Sequence, residues 1–310
     1  MSYSFKAMNT TFNVYQLETP VSQKVESWCY LVEETLSRFL PTSELSQLNS
    51  LNGRLFLPSK MLYEAVKTAS YYYNETNGIF NPFLYHSIQT IQTLGYDQSF
   101  EQLPNNQLPQ EVAAFDAVNP IMIHKGMRSI QLASNVGLDL GGIAKGWSIQ
   151  QMANQLKKKG TSLGAIDGGG DIVTWGPASK HWSIALSHPF DLSKNLMSIK
   201  VKSNSGIATS SVGRRLWKVN GHTHHHIIDG RISKPSSSEL LQATVVSEDL
   251  TVSEVYAKCM LILGWDAGLR LAKMHHPSLE VIAVTKEGKV LIEKNAKGQV
   301  YHYGYSPRAI

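Results

Sequence analysis

Two glycine-rich segments are the first features of the sequence that indicate chemistry. One runs from Asp139 to Gly146 and leads into a helical pattern that continues through Leu156. Adjacent glycines before a helix let backbone N–H groups approach an anion, and the helix N-terminus adds positive potential. Lys145, inside this segment, has the reach to contact a phosphate. The alternative is a tight turn into the helix, since the segment is neither a Walker loop nor the dinucleotide fingerprint.

The second segment, Gly168-Gly169-Gly170-Asp171, follows a strand-like stretch at residues 165–167. Three successive glycines cost backbone entropy, so we expect that something at this position needs space. A flat ring or a diphosphate would use that space. A bulge or a hairpin corner explains the same run equally well, with Asp171 as a capping residue.

Hydroxyl and imidazole side chains form a third group. Thr209 and Ser210 precede a histidine-rich stretch that ends at His226 and is followed by Asp229. A histidine whose pKa lies near neutrality is the usual base for a hydroxyl nucleophile. The histidines also suit an adventitious metal site or a solvent-facing loop, and the sequence does not separate these readings.

A fourth pair, Glu254 and Lys258, lies four residues apart on a predicted helix. Residues at this spacing share one face of a helix. On spacing alone, the pair is best explained as a surface ion pair, whose contribution to stability is a few tenths of a kcal/mol.

The elements that must position these residues follow from hydrophobic spacing. Period-two stretches predict strands, and apolar residues three and four apart predict helices. We predict helices over residues 21–39, 61–72 and 252–263, strands over 11–17, 165–167, 182–186, 197–201 and 243–247, and a closing hairpin of 281–284 with 290–292 around Gly288. Strands and helices are interspersed without a regular βαβ rhythm, which favours an α+β fold.

Composition excludes several classes of function. The 310 residues are 42% hydrophobic, which is enough for a real core. The net charge of +5 is scattered along the chain, so the sequence does not favour nucleic-acid binding. No run of about 18 apolar residues predicts membrane insertion. No basic segment followed by an apolar run opens the chain, so we expect a cytoplasmic location.

Taken in order, the motifs resemble those of the ApbE family, the FAD:protein FMN transferases. Leu138 to Gly146 matches the family's Leu-Asp-Leu-Gly-Gly-Ile-Ala-Lys-Gly and is the most specific of the set. The other six similar segments are Met8-Asn9-Thr10, residues 37–49, Gly78-Ile79-Phe80-Asn81-Pro82, Gly169-Gly170-Asp171, Ala208-Thr209-Ser210 and His226-Ile227-Ile228-Asp229. The resemblance covers most of the chain. It implies a single ApbE-like domain over residues 1–310, with two lobes and the flavin between them.

The resemblance also implies an activity and a set of site residues. The family transfers FMN from FAD to a Thr or Ser hydroxyl of a partner protein and releases AMP. It implies His226 as the general base, and as flavin-binding residues Met8, Asp139, Gly141, Gly142, Lys145, Gly169, Thr209 and Ser210. The acceptor protein is not identified by the sequence. The alternative is a non-catalytic FAD-binding paralogue.

Magnesium is the family's usual source of positive charge, and here the sequence departs from the family. The family's ligands are a backbone carbonyl near the Ile-Ala-Lys-Gly motif, at Ala144 in this chain, and an Asp and a Thr four apart on a late helix. Glu254 and Lys258 occupy those two positions. A longer carboxylate can adapt to Mg²⁺, but an ammonium group cannot ligate it and repels it. Two explanations stay open: Lys258 replaces the charge of the metal, or the metal site is lost.

Overall fold

The computed structural model describes residues 2–91, 119–191, 193–213, 216–219, 222–225, 227–232, 234–295 and 299–305. The chain folds into two compact units. The first comprises Met1–Leu31, Gly142–Gly213 and Ser238–Ile310, and the second comprises Val32–Gly141 and Arg214–Ser237.

Helices and antiparallel strands alternate irregularly along the chain, which confirms the predicted α+β class. The helices of the described residues are α1 (Thr19–Leu36), α2 (Glu44–Ser50), α3 (Lys60–Glu75), α4 (Tyr85–Ile91), α5 (Ala144–Lys158), α6 (Leu250–Leu263) and α7 (Trp265–His275). The strands are β1 (Ser2–Ala7), β2 (Thr10–Tyr15), β3 (Leu55–Phe56), β4 (Ile121–His124), β5 (Ser129–Leu132), β6 (Gly164–Gly168), β7 (Ile172–Trp175), β8 (His181–Ser187), β9 (Asn195–Lys202), β10 (Ser205–Ser211), β11 (Leu216–Val219), β12 (His222–His225), β13 (Ile228–Asp229), β14 (Lys234–Pro235), β15 (Leu240–Ser247), β16 (Glu280–Thr285), β17 (Val290–Glu293) and β18 (Val300–Tyr305).

The first unit is built on an eight-stranded sheet in the order β1-β2-β6-β7-β10-β15-β16-β17. A second sheet in this unit has the order β18-β9-β8. Side chains alternate between the two faces of a strand. Ile207 of β10 accordingly joins a core cluster with residues of β8, β9 and β18. Ala208, the next residue, joins the opposite cluster with residues of α1 and α5. The large sheet is therefore buried on both faces.

The β1–β2 hairpin closes through Met8 and Asn9. Ala7 pairs with Thr10, so the turn has two residues. Both have positive φ, 49° for Met8 and 56° for Asn9. Two successive residues of positive φ are typical of a type I′ turn, and Asn tolerates this conformation well. Asn9, where the resembling family has Gly, therefore suits the backbone that the turn requires.

The second unit contains α2, α3 and α4, a small sheet in the order β3-β5-β4, and the hairpins β11–β12 and β13–β14. Two of its helices begin at serine caps. The Ser43 hydroxyl accepts a hydrogen bond from the Ser46 N–H at 3.0 Å, and Ser59 caps α3 through the Leu62 N–H at 3.3 Å. Each serine hydroxyl thus satisfies a backbone N–H in the first turn of its helix.

The predicted helices and strands recur as α1, α3, α6, β2, β6, β8, β9 and β15, with the closing hairpin as β16–β17. Some predicted boundaries are wrong by three residues: α1 ends at Leu36 rather than at residue 39, and α3 ends at Glu75 rather than at residue 72. Among the elements that were not predicted are helix α7 and strands β1 and β10. Most of the polar stretch at residues 86–110 lies outside the described residues. Among all the residues that the structure describes, no helix has both the length and the apolar content needed to cross a bilayer.

Candidate functional site

The start of helix α5 contacts helix α6 at Gly146. The Gly146 N–H donates to Glu254 Oε2 at 2.7 Å. Gly146 is in the first turn of α5, where backbone N–H groups have no partner within the helix. A Cβ at Gly146 would lie 2.7 Å from the same carboxylate oxygen. Glycine therefore lets a carboxylate from another helix cap α5 directly.

Lys258 lies one turn further along α6 than Glu254, and its side chain packs against Gly142. A Cβ built on Gly142 would lie 3.0 Å from Lys258 Nζ and 3.1 Å from its Cδ. Gly142 also has a φ of +94°, which L side chains rarely adopt. Both the backbone conformation and the lysine stem thus require glycine at position 142. The i and i+4 spacing of Glu254 and Lys258 matches the spacing of Gly146 and Gly142 opposite them.

Lys145 connects α5 to the second glycine segment. Its Nζ donates to the Gly168 carbonyl at 2.8 Å and forms an ion pair with the Asp171 carboxylate. Asp171 is 5% exposed, and burying a carboxylate without a partner carries a large free-energy penalty. The Lys145 ammonium therefore balances the charge of Asp171. We call Lys145, Asp171, Glu254 and Lys258 the α5–α6 cluster.

The glycine run at residues 168–170 forms the loop of the β6–β7 hairpin. Asp167 pairs with Ile172, so the run lies at a hairpin corner. Gly169 and Gly170 have φ values of +73° and +99°. The Gly170 N–H donates to Asp167 Oδ1 at 2.8 Å. The hairpin alternative is therefore confirmed for the backbone, which leaves the ligand-binding role of the loop a prediction.

Gly169 packs against the β1–β2 hairpin. A Cβ at Gly169 would overlap the Thr10 hydroxyl. Met8 is in the adjoining turn and is half-buried against the core. The Met8 turn and the glycine loop are thus neighbours within the first unit. The sequence separates these segments by about 160 residues, and the β2–β6 pairing brings them together.

Burial dominates the electrostatics of the α5–α6 cluster. It raises the pKa of the Glu254 carboxyl to about 8, and the nearby Asp171 charge adds to the effect. The ammonium groups of Lys145 and Lys258 and the Gly146 N–H oppose this rise without cancelling it. The burial of Glu254 and the neighbouring Asp171 charge therefore both disfavour ionisation of the Glu254 carboxyl.

Asp167 is a second carboxyl with a raised pKa in this region. Burial is again the largest cause, and the Gly170 N–H and the Lys145 charge oppose it. Burial is thus the main cause of both raised pKa values, and the Lys145 charge opposes the rise at each carboxyl.

Thr209 and Ser210 lie on β10 of the same sheet. Ile207 pairs with Ile172, the residue directly after Asp171, and Thr209 follows two positions later. The Thr209 hydroxyl is 2.9 Å from that of Thr244, and it is half-buried. The first unit contains these predicted site residues: Met8, Gly142, Ala144, Lys145, Gly169, Thr209, Ser210, Glu254 and Lys258. Ala144 opens helix α5.

Asp139 and Gly141 belong to the second unit and have a local structural role there. Asp139 accepts from the Gly141 N–H at 2.8 Å and pairs with Arg38 at 2.7 Å. Its side chain is 9% exposed, so the guanidinium supplies the charge that a buried carboxylate needs. These contacts fix the turn at residues 139–141. The flavin contact predicted for both residues stays a prediction.

His226 lies outside the described residues. The motif that follows it is described: Arg231 donates to both carboxylate oxygens of Asp229, at 3.0 and 2.7 Å. Burial opposes ionisation of Asp229, but the hydrogen bonds from Arg231 outweigh it and hold the pKa of Asp229 below its usual value. Asn81 donates to the Gly230 carbonyl at 3.0 Å. Asp229 and Asn81 thus hold this turn together.

The α5–α6 cluster does not fit a magnesium ion. Mg²⁺ takes six oxygen ligands in near-octahedral geometry. Of the two carboxylates, Asp171 is paired with Lys145, and Glu254 accepts from the Gly146 N–H. Two ammonium groups stand within the cluster and repel a dication. Among the described residues, no group of three or more His, Cys, Asp or Glu side chains suits a metal ion.

Sequence reasoning missed three residues that build this region. Arg38 forms an ion pair with Asp139, and Asp167 accepts a hydrogen bond from the Gly170 N–H. Thr10 fills the space beside Gly169. Each contact joins residues that only the tertiary fold or a loop conformation brings together. Asp167 had a signal, because Asp near a glycine turn commonly accepts from backbone N–H groups two or three residues on.

Comparison with known proteins gives a consistent result. A model of the ApbE family matches residues 8–283. The FAD:protein FMN transferase of Haemophilus influenzae is 24% identical over 317 residues, covering 96% of this chain and 90% of that protein. A FAD:protein FMN transferase of Klebsiella pneumoniae is 28% identical over 155 residues, which are 50% of this chain and 48% of that protein. The crystal structure of an ApbE protein from Thermotoga maritima has a TM-score of 0.81 and 18% identity, covering 95% of this chain and 97% of that one.

The structural likeness defines the fold, an antiparallel α+β architecture shared over nearly the whole length of both chains. The family model covers most of the sequence, including every glycine segment described above. The chain belongs to the ApbE family, which confirms the resemblance found in its motifs.

Proposed function

We propose that this protein is a FAD:protein FMN transferase, which moves FMN from FAD to a Thr or Ser hydroxyl of a partner protein. Membership of the ApbE family supports the proposal, as do relatives named FAD:protein FMN transferase. The observation that carries it is the α5–α6 cluster. There, Lys258 lies against Gly142 and Lys145 donates to the Gly168 carbonyl, so that two ammonium groups lie beside two glycine segments of positive φ.

The proposed reaction exchanges one bond to phosphorus for another. The partner's hydroxyl oxygen attacks the phosphorus of the FMN half of FAD. The bond between that phosphorus and the AMP oxygen breaks, and AMP leaves with the electron pair. The hydroxyl proton passes to a base. Such a transfer depends on positioning and on stabilising the charge of the diphosphate.

In this proposal the residues of the first unit bind and orient FAD. Lys145 and Lys258 offset the negative charge that grows on the departing AMP. Thr209 and Ser210 supply hydroxyl donors, and Gly142 and Gly169 provide the positive φ values that the two glycine segments require. A magnesium ion is not part of the proposal, because the α5–α6 cluster does not fit one.

His226 is the proposed general base, on the ground of its family motif and of the chemistry of imidazole near neutral pH. We expect a His226→Ala variant to bind FAD normally and to lose FMN transfer by a factor of about 100 or more. His86, a histidine outside the motif, provides the matched control as His86→Ala. Equal transfer by the wild type and the His226 variant would exclude this role.

A transfer assay tests the proposed function. Purified protein is incubated with FAD and an FMN-acceptor domain that a related transferase modifies. Mass spectrometry measures FMN added to the acceptor, and chromatography measures AMP released in equal amount. FAD that is bound and recovered intact would instead identify a flavin-binding protein without transfer.

The acceptor protein and the compartment remain proposals. The acceptor presents a Thr or Ser in an extended, accessible segment, since the hydroxyl must reach the phosphorus in line. The cytoplasmic location proposed from the sequence is tested by fractionating cells and detecting the protein in each fraction.

A further inference from the structure

The glycine loop of the β6–β7 hairpin is anchored to Lys145 of helix α5. Lys145 Nζ donates to the Gly168 carbonyl at 2.8 Å and pairs with the Asp171 carboxylate, so it contacts both ends of the loop. The Gly168 N–H donates to the Asp171 carbonyl at 2.9 Å, which closes the loop. The position of the Lys145 ammonium therefore depends on the conformation of residues 168–171.

Asp167 holds the same loop from the other face of the sheet. Successive side chains of a strand point to opposite faces. A Cβ at Gly168 would lie 2.6 Å from Ile149 Cδ1 of α5, so the Asp167 side chain lies on the face away from α5. From that face its Oδ1 accepts from the Gly170 N–H at 2.8 Å. The loop is thus held by Lys145 on one side and by Asp167 on the other.

The loop needs these contacts because glycine has little conformational preference of its own. Gly169 and Gly170 have φ values of +73° and +99°. Glycine adopts positive and negative φ about equally readily, so the glycines alone do not hold this conformation. The hydrogen bond from the Gly170 N–H to Asp167 selects one conformation of the loop. It thereby fixes where the Gly168 carbonyl meets Lys145.

We propose that Asp167 is a positioning residue for FAD binding: it holds the glycine loop in the conformation that places the Lys145 ammonium against the FAD diphosphate. The inference rests on the proposed function, in which Lys145 offsets charge on the phosphates of FAD. Asp167 lies outside the segments that resemble the ApbE motifs. It acts through the loop and through Lys145, and it does not contact FAD itself.

The test is a double-mutant cycle on the FAD dissociation constant, measured by flavin fluorescence. Asp167→Ala is expected to raise the dissociation constant about fivefold, and Lys145→Met about tenfold or more. If Asp167 acts through Lys145, the double variant binds FAD within about twofold of Lys145→Met, because the second loss has no further effect. A merely structural role of Asp167 would instead add its fivefold loss to that of Lys145→Met.

Two further variants complete the design. Asp167→Asn keeps an oxygen acceptor for the Gly170 N–H and is expected to bind FAD within about twofold of the wild type. Asn13→Ala changes the residue that faces Asp167 on β2 and leaves the loop contacts in place, so it is the matched control. It is also expected to bind within about twofold of the wild type.

Two results would overturn the inference: a folded Asp167→Ala variant within about twofold of the wild type, or a double variant that binds more than about twofold more weakly than Lys145→Met. Thermal melting reports folding. If Asp167→Ala or Lys145→Met does not fold, Asp167→Val decides, since a branched side chain suits a strand. Weaker binding than Asp167→Asn by more than about twofold then supports the inference, and equal binding refutes it.

The transfer assay, run on the same proteins, separates this inference from the proposed function. Additive losses of affinity in a wild type that transfers FMN refute the inference alone. Losses that follow the cycle, in a protein that binds FAD but puts no FMN on the acceptor, refute the transferase function alone. Failure of the wild type to bind FAD refutes both.

Discussion

Glu254 gives this protein a pH-dependent stability that its sequence does not reveal. The carboxyl is buried beside Asp171, and its pKa is raised from the ordinary value of 4.5 to about 8. A carboxyl whose pKa is higher in the folded state stabilises the fold most below its unfolded pKa. That stability is lost as the pH rises through the folded value. The expected window is therefore from about pH 4.5 to about pH 8.

The magnitude follows from proton linkage. Within the window the folded state holds one proton more than the unfolded chain, so the free energy of unfolding falls by about 1.4 kcal/mol for each pH unit. Between about pH 5 and about pH 8 the Glu254 contribution to this fall is about 4 kcal/mol. A Glu254→Gln variant keeps a neutral acceptor for the Gly146 N–H and removes this contribution.

Urea unfolding followed by tryptophan fluorescence, at several pH values across the window, measures the free energy of unfolding directly. The wild type is expected to lose stability more steeply than Glu254→Gln as the pH rises. Glu34→Gln, an exposed change on α1, is the matched control and is expected to follow the wild type. Parallel curves for the wild type and Glu254→Gln would refute the reasoning, because they would mean that Glu254 is ionised in the folded protein at neutral pH.

Three further substitutions test the local structure, each through the shift in Tm or in the free energy of unfolding. Gly169→Ala is expected to destabilise the protein by more than about 1 kcal/mol, because φ is +73° and the new Cβ would overlap the Thr10 hydroxyl; an unchanged Tm would contradict this. Arg38→Met leaves the buried Asp139 carboxylate without its cationic partner and is expected to lower stability by about 3 kcal/mol; an unchanged free energy of unfolding would contradict this. Ser43→Ala removes a buried helix cap at an expected loss of about 1 kcal/mol, and stability equal to the wild type would show that the cap contributes nothing.

Helices such as α1, α3 and α6 and strands such as β9 and β15 could be predicted, because the spacing of their apolar residues is visible in the local sequence. Helix α6 shows why the prediction works: its apolar residues recur at helical intervals, and Asp249 caps it through the Thr251 N–H at 2.7 Å. Strand β10 was missed for the opposite reason. Apart from Ile207, its residues Ser205–Ser211 are small or hydroxylated, and it is a strand because β7 and β15 pair with it on both sides. Such pairing partners are distant in sequence.

The site was predicted in part for a similar reason. The glycine segments are visible locally, since two or three adjacent glycines are costly without a structural need. The residues that contact these glycines are distant in sequence, so the local sequence does not reveal them. Lys145 was expected to point to a ligand phosphate, yet in this structure it pairs with Asp171, which follows it by 26 residues. In the sequence, Lys258 is only a substitution for the threonine of a family motif. The structure shows that its side chain lies against Gly142.

The glycine segments also bear on how an anion binds here. The Gly146 N–H donates to Glu254, and the Gly170 N–H donates to Asp167, so these two backbone donors already have partners. A phosphate that used them would have to displace a carboxylate, and the gain from the new hydrogen bond would largely be offset by the loss of the old one. An anion at the α5–α6 cluster is therefore bound more favourably by side-chain cations than by these two backbone N–H groups. Of the two lysines in the cluster, Lys258 is the one set against the glycine segment at the start of α5, so its replacement is the most direct test of how the charge of FAD is met.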